Sequence, residues 1–182
     1  MIYFISDMHF SHSNVIRFSN RPFNNAEEMN EALIQNWNSV VQDNDTVYHL
    51  GDFAFDNENN ILHFMSRLRG NINFIQGNHD QTLIKLFMSN IIKGNRLKYL
   101  HQYTKLRHEN NRFILFHYPI ENWDGKYRDS IHIHGHSHFN FGNTMPNRFD
   151  VGVEGINYTP ISIDEIIKLK TIGAYNRPRN EE

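Results

Sequence analysis

The chain has 182 residues, of which 39% are hydrophobic, and its formal net charge is −2. This length fits one compact domain with a sizeable core, and the charge provides no overall attraction to nucleic acid or to an acidic membrane. The absence of cysteine excludes disulfides, thiolate metal sites and a cysteine nucleophile. The N-terminus lacks a basic leader, and no apolar run approaches the roughly 18 residues of a membrane span, so we expect a soluble cytoplasmic protein.

The first half of the chain alternates strand and helix patterns. The predicted elements are strands at Ile2 to Ile5, Thr46 to Leu50 and Ile72 to Ile75, with helices after Asn25, after the capping residue Asn57 and at Gln81 to Met88. Apolar residues at helical spacing, capping asparagines and a closing Gly70 support these helices. Two successive βα units predict a mainly parallel first sheet.

The second half changes to patterns that are typical of strands. The predicted strands are Leu97 to Leu106, Arg112 to Phe116, Ser130 to His134 and Arg148 to Val153. A final helix is predicted from about Ser162 to Lys170. We therefore expect a single domain over residues 1–175, followed by a polar, mobile tail at 176–182.

Polar side chains follow the predicted strands at their carboxyl ends. These residues are Asp7 and His9, Asp52, Asn78 and His79, His117, and His136 and His138. Ligands of α/β sheets bind at this edge, because its loops converge while the sheet holds them in place. The spacing therefore predicts that five separate segments meet at one site.

The motifs around these residues differ in how readily chance produces them. With the residue frequencies of this chain, D-x-H (Asp7 to His9) is expected roughly 0.7 times, G-H-x-H (Gly135 to His138) about 1 time in 20, and G-N-H-D (Gly77 to Asp80) about 1 time in 200. One motif means little alone. Their joint occurrence in this order is strong evidence for a built site.

The series D-x-H, G-D, G-N-H-D, isolated His and G-H-x-H resembles the calcineurin-like metallophosphoesterase superfamily. The segments Arg21-Pro22-Phe23, Glu28-Met29 and His117-Tyr118-Pro119, with Trp123, resemble a compact bacterial and phage subgroup of predicted phosphoesterases. The resemblance implies an α/β fold, a β-sandwich of two mixed sheets flanked by helices in four layers (α/β/β/α). It also implies hydrolysis of a phosphomonoester or phosphodiester by a metal-bridged hydroxide.

The resemblance further implies a role for each residue. Asp7, His9 and His138 would hold one divalent ion, Asn78, His117 and His136 a second, and Asp52 would bridge them. These nitrogen and oxygen donors predict Mn²⁺, with Fe²⁺, Zn²⁺ or Ni²⁺ as alternatives.

Residues outside this ligand set are expected to act on the substrate. His79 would contact the phosphate or protonate the leaving group, with Asp80 orienting its ring. The positions of Arg17 and Arg21 suggest forked contacts with the substrate phosphate, and a solvated loop charge is the alternative.

Several alternatives remain open from the sequence. We expect the remaining isolated histidines, His12, His49, His63, His101 and His108, not to be ligands, whereas His132 and His134 could support His136. Tyr118 and Trp123 either form an aromatic wall or pack in the core.

The favoured substrate is a small nucleotide-like or cyclic phosphodiester. A non-catalytic metal-binding scaffold and a nuclease are the other functions considered, although the composition gives no sign of an extended nucleic-acid track.

Overall fold

The computed structural model describes residues 1–92, 94–140 and 145–173. Its first half contains β1 (Ile2–Ile5), α1 (Ser13–Phe18), α2 (Ala26–Val40), β2 (Thr46–His49), α3 (Glu58–Arg67), β3 (Asn71–Phe74) and α4 (Gln81–Met88). The second half contains β4 (Leu97–Tyr99), β5 (Tyr103–His108), β6 (Asn111–Phe116), β7 (Ile131–His134), β8 (Arg148–Asp150), β9 (Ile161–Ser162) and α5 (Ile163–Thr171). Short 3₁₀ helices span Lys126–Arg128 and Val153–Gly155.

The strands form two mixed sheets, as the predicted α/β fold requires. The first has the order β4-β3-β2-β1-β9, in which β1 to β4 are parallel and β9 is antiparallel to β1. The second has the order β5-β6-β7-β8, with an antiparallel β5-β6 pair and parallel pairs beyond it. The predicted parallel character of the first sheet is confirmed for β1 to β4.

The helix starts follow from local capping chemistry. The side chain of Asn25 accepts a hydrogen bond from the backbone N–H of Glu28, and the side chain of Asn57 accepts one from Asn60. Such caps satisfy N–H groups that a helix leaves unpaired in its first turn. The predicted helix starts after Asn25 and at Asn57 are thus confirmed, whereas the short helix α1 was not predicted.

The predicted strand from Leu97 to Leu106 is wrong as a single element. The chain pairs with the first sheet as β4, turns at His101, which has a φ of 61°, and enters the second sheet as β5. A strand-like pattern continues across this turn, and a histidine gives no signal of left-handed backbone of the kind that glycine gives. The predicted strand that begins at Arg148 likewise ends early, at Asp150.

The two sheets pack face to face around one hydrophobic cluster. The rings of Phe4 on β1 and Phe113 on β6 lie 5.9 Å apart, and both side chains are fully buried. A backbone bridge between Ser6 and Gly152 also joins the sheets at the end of β1. This bridge brings the loop after β1 against the loops of the second sheet, where several predicted ligands lie.

Helices within the described ranges do not combine the length and the apolar character that a membrane crossing needs. The polar tail predicted at 176–182 lies outside the described residues.

Candidate metal centre

All seven predicted ligands lie in loops that leave the carboxyl ends of strands β1, β2, β3, β6 and β7. Five of them have left-handed backbone: the φ values are 58° at Asp7, 51° at His9, 56° at Asp52, 68° at His136 and 47° at His138. This conformation is uncommon for residues other than glycine and costs roughly 1 kcal/mol or more at each position. Such a concentration of strain in one place is typical of a functional site.

Asp7, His9 and His138 form a first group of donor atoms, which lie within 4.8 Å of one another. The rings of His9 and His138 stack with their centroids 5.1 Å apart. Oδ1 of Asp7 and both ring nitrogens of His9 are buried without a hydrogen-bond partner among the described residues. Buried polar atoms without partners are costly, and a cation between them would remove that cost.

Asn78, His117 and His136 form a second group. Oδ1 of Asn78 lies 3.0 Å from Nε2 of His117 and 3.0 Å from Nδ1 of His136. Nδ1 of His117 lies 2.7 Å from the carbonyl oxygen of Leu50, so this nitrogen carries the proton and donates. The neutral ring then turns the lone pair of Nε2 toward the Asn78 oxygen, and a cation bound by both acceptors would remove their repulsion.

The carboxylate of Asp52 lies between the two groups. Its Oδ2 is 3.5 Å from Nε2 of His9 and 3.6 Å from Nε2 of His117. Its Oδ1 accepts a hydrogen bond of 2.8 Å from the backbone N–H of His79. One oxygen of Asp52 can therefore reach both groups, while the other holds the loop after β3.

The electrostatics of the centre favour positive ions. Burial raises the pKa of Asp7, and the nearby carboxylates of Asp150, Asp52 and Glu154 raise it further. Burial lowers the pKa of His9 and of His117, so both rings are neutral. Buried carboxylates together with neutral imidazoles are a donor set that suits Mn²⁺, Fe²⁺ or Zn²⁺.

Two motif glycines are required by close packing around these carboxylates. A Cβ atom on Gly135 would collide with Ser6 Oγ and Asp7 Oδ2, and one on Gly77 would collide with Asp52 Oδ1. The glycines of G-H-x-H and G-N-H-D thus let the backbone approach the two carboxylates. The backbone N–H of His136 donates to Oδ2 of Asp7 at 2.9 Å, which uses this proximity.

The side chain of Arg21 is engaged by the protein itself, and its predicted contact with substrate stays a prediction. Its guanidinium is buried and donates to the carbonyl oxygens of Asp7 at 2.7 Å and Met8 at 2.9 Å. It also forms an ion pair of 2.8 Å with Glu154. Arg21 therefore holds the backbone beneath the first group.

Arg17 lies exposed on α1 with its guanidinium 5.2 Å from the centroid of the Phe18 ring, and its contact with substrate stays a prediction.

Glu154 is a residue of the site that the sequence did not reveal. Its Oε1 is 2.9 Å from Nδ1 of His138, while Arg21 binds the same oxygen. A carboxylate that accepts from one ring nitrogen fixes the orientation of the ring and presents the other nitrogen to a metal. Glu154 belongs to no motif, and the Ser6–Gly152 bridge brings it to the site only in the folded chain.

The contacts of Asp80 differ from the predicted orientation of the His79 ring. Its two oxygens accept from the backbone N–H groups of Gly77 at 2.7 Å and of Asp52 and Phe53 at 2.9 Å each. Burial raises the pKa of Asp80 to about 6, although these hydrogen bonds act to lower it. Asp80 thus ties the loop after β2 to the loop after β3, and its support of His79 is indirect.

His79 is exposed beside the first group. Its ring centroid lies 5.6 Å from that of His9, 6.4 Å from that of His12 and 6.1 Å from that of Phe55. The sequence analysis assigns His12 no role, yet its ring centroid lies 5.5 Å from that of His9. A D-x-H-x-x-H spacing is its only sequence signal.

The remaining aromatic and histidine side chains lie in different places, some in the core and some beside the second group. Trp123 is buried, donates to Ser130 and has its ring centroid 5.4 Å from that of His132, so it packs in the core. Tyr118 is 36% exposed and its ring lies 4.6 Å from that of His136, so it borders the second group. Nδ1 of His134 lies 2.9 Å from the carbonyl oxygen of Gly135, which supports the backbone just before His136.

Comparisons with known proteins show what this chain is similar to. A model of the calcineurin-like phosphoesterase superfamily domain matches residues 1–147. An uncharacterized protein of Methanocaldococcus jannaschii is 38% identical over 188 aligned residues, which cover 99% of this chain and 97% of the relative.

Among solved structures, the chain is similar to a protein of unknown function from Aquifex aeolicus, with a TM-score of 0.72 and 29% identity. The match covers 93% of this chain and 98% of that one. Yfce, a phosphoesterase from E. coli, has a TM-score of 0.50 and 17% identity, with coverage of 89% and 81%, and shares the fold.

Proposed function

The chain belongs to the calcineurin-like phosphoesterase superfamily, and from this premise we propose that it is a binuclear metal-dependent phosphodiesterase. The observation that carries the proposal is the position of Asp52, whose Oδ2 lies within 3.6 Å of a nitrogen in each donor group. A carboxylate in that position would be able to bind an ion in each group. The favoured substrate is a small nucleotide-like or cyclic phosphodiester.

The donor groups divide the proposed ligands into two sets. Asp7, His9 and His138 would hold one ion, Asn78, His117 and His136 the other, and Asp52 both. Divalent ions held by these side chains would supply activation of a water molecule and stabilisation of the charge that develops on the phosphate ester. Mn²⁺ is the proposed metal, with Fe²⁺, Zn²⁺ or Ni²⁺ as alternatives, since the donors are imidazole, carboxylate and amide.

His79 is the proposed acid of the reaction. It is exposed next to the first group, and its backbone N–H is held by Oδ1 of Asp52. From this position the ring could donate a proton to the leaving oxygen of a phosphate ester bound at the centre. Asp80 contributes by fixing the backbone that carries both Asp52 and His79.

A diester is favoured over a monoester because the buried cationic side chain near the site, Arg21, is already bound by other protein groups. The guanidinium of Arg21 is occupied by backbone carbonyls and by Glu154, so it is not available to a phosphate. A monoester carries close to two negative charges at neutral pH, whereas a diester carries one. A site whose described surroundings lend it little extra positive charge suits the less charged ester.

The test is a matrix of metals and substrates on chelator-treated protein. Phosphate monoesters, diesters and 2′,3′-cyclic phosphates are assayed with Mn²⁺, Ni²⁺, Zn²⁺ and Mg²⁺. We expect no activity without metal, restoration by Mn²⁺ and the highest kcat/KM on a diester. Full activity in the absence of metal would overturn the mechanism, and a preference for monoesters would overturn the substrate class.

Two histidine variants, purified and loaded with metal in the same way, test the ligand assignment. His138→Ala should lose metal and activity. His63→Ala removes an exposed histidine whose ring packs on Phe64, and it should lose neither. Equal metal content in the two variants would contradict the proposed ligand set.

A further inference from the structure

Phe55 is an exposed aromatic side chain at the edge of the metal centre. It is 55% exposed, whereas Phe53, two residues earlier, is fully buried in the core. The backbone of Phe55 is held, because its N–H donates to the carbonyl oxygen of Phe10 at 2.9 Å next to the bridge between Phe10 and Ala54. A fixed backbone therefore presents an apolar ring to solvent close to the catalytic groups.

His12 completes a surface with Phe55. The two rings lie 4.7 Å apart at an angle of 31°, and His12 also neighbours His9 and His79. Nδ1 of His12 is buried and has no hydrogen-bond partner among the described residues. Ser11, with a φ of 65° and its N–H bound to the Asn30 side chain, sets the turn that directs the chain into His12.

The position of His79 determines which part of a substrate meets this surface. A proton donor must come within about 2.6–3.2 Å of the oxygen that it protonates. The leaving oxygen would therefore sit at His79, and the group attached to it would extend over the neighbouring rings. The centroid of the Phe55 ring lies 6.1 Å from that of the His79 ring, so a planar substituent on that oxygen would lie next to Phe55.

We propose that Phe55 and His12 form a leaving-group subsite that binds a planar aromatic group, a nucleobase or an aryl ring, by stacking. The inference rests on the proposed function and specifies its substrate class. Tyr118 borders the second donor group instead, where its ring contacts those of His117 and His136. Its ring would contact the other ester arm, which stays on the phosphate after hydrolysis. The two aromatic residues thus give the two arms of a diester separate positions.

The experiment compares two diesters with the same leaving group and different retained arms. Ethyl p-nitrophenyl phosphate and bis(p-nitrophenyl) phosphate both release nitrophenolate, and only the second retains an aryl arm. With Mn²⁺-loaded protein, Phe55→Ala should lower kcat/KM on both esters by roughly ten- to hundredfold, as loss of a stacking contact predicts. Phe55→Tyr should keep most of the activity, and Phe55→Leu should keep less.

Two other variants complete the comparison. Tyr118→Ala should lower kcat/KM only on the bis ester. Tyr127→Ala removes a ring that is 86% exposed and contacts Lys126, and it should change neither substrate. Metal content is measured in every variant and should stay at the wild-type value. A Phe55→Ala effect confined to the bis ester, or no effect on either, would overturn the subsite.

Failure of the proposed function has a different signature, which is a wild-type protein without metal-dependent hydrolysis of either ester. Calorimetric binding to Mn²⁺-loaded protein then tests the subsite without turnover. Adenosine 5′-monophosphate should bind roughly tenfold or more tightly than ribose 5-phosphate, and Phe55→Ala should abolish this difference. Equal binding of the two phosphates by the wild-type protein would overturn the subsite.

Discussion

Replacing Glu154 by glutamine should damage both stability and metal binding, because one oxygen of Glu154 serves both the buried Arg21 and the proposed ligand His138. Oε1 accepts from Nε of Arg21 at 2.9 Å and lies 2.9 Å from Nδ1 of His138. The Arg21 and Glu154 side chains are 0% and 4% exposed. Removing one partner of a buried ion pair leaves the other charge uncompensated, which costs about 3–5 kcal/mol.

The expected loss of stability can be separated from the loss of metal. Urea unfolding of chelator-treated Glu154→Gln should give a free energy of unfolding about 3–5 kcal/mol below that of the wild type. Mn²⁺ titration should give roughly 10- to 100-fold weaker binding, because His138 loses the carboxylate that orients its ring.

A matched control lies at the surface, where Arg67 pairs with Glu31 through side chains that are 33% and 51% exposed. Glu31→Gln should cost less than about 1 kcal/mol and leave Mn²⁺ binding unchanged, because solvent screens exposed pairs. If Glu154→Gln behaved like Glu31→Gln in both measurements, the assigned role of Glu154 would be wrong.

The stabilisation by Glu154 should also depend on pH. Hydrogen bonding with His138 and the nearby Arg21 charge lower the pKa of this carboxyl despite its burial. The contribution is therefore present above the unfolded-state pKa of 4.5 and is lost as the pH falls through the lower folded-state value. As the pH is lowered below 4.5, the wild type should progressively lose its advantage over Glu154→Gln.

Three further predictions concern Asp52, His79 and His132. Asp52→Asn should weaken both Mn²⁺ sites in a titration, because the shared carboxylate loses its charge; one site left at full affinity would contradict the sharing. His79→Ala should retain metal and slow hydrolysis roughly 10²–10⁴-fold, and an unchanged rate would exclude it as the acid. Burial lowers the pKa of His132 to about 3 from 6.5. Between these two pH values only the unfolded chain binds a proton at His132, so the free energy of unfolding decreases as the pH is lowered. His132→Gln should lack this part of the acid sensitivity, about 2 kcal/mol at pH 5, and an unfolding free energy with the wild-type pH slope would refute it.

The residues that converge on the site could be predicted because two local signals coincide. Asp7, Asp52 and Asn78 each follow a strand in a parallel sheet and each lie in a short motif, and both properties can be read from neighbouring residues. The carboxyl ends of parallel strands meet at one edge, so the convergence of these residues follows from the sheet.

The residues beneath the site could not be predicted, because their partners are distant in sequence. Arg21 and Glu154 are separated by 133 positions, and neither lies in one of the motifs of the predicted ligands. An arginine in the loop after the first motif has the same local appearance whether it points to solvent or under the backbone. The contacts of Asp80 were missed for a related reason, since its three backbone donors come from two different loops.

The geometry of the ligands explains why the buried residues Arg21, Glu154 and Asp80 are needed. Five of the proposed ligands have left-handed backbone, and several buried donor atoms face one another, so the loops would relax to other conformations if nothing restrained them. Arg21 restrains the carbonyl oxygens of Asp7 and Met8, and Asp80 restrains the N–H groups beside Asp52. The strain is thus opposed by buried hydrogen bonds to the same backbone segments. Motifs identify the side chains that would hold the ions, whereas the fold supplies the groups that keep those side chains in place.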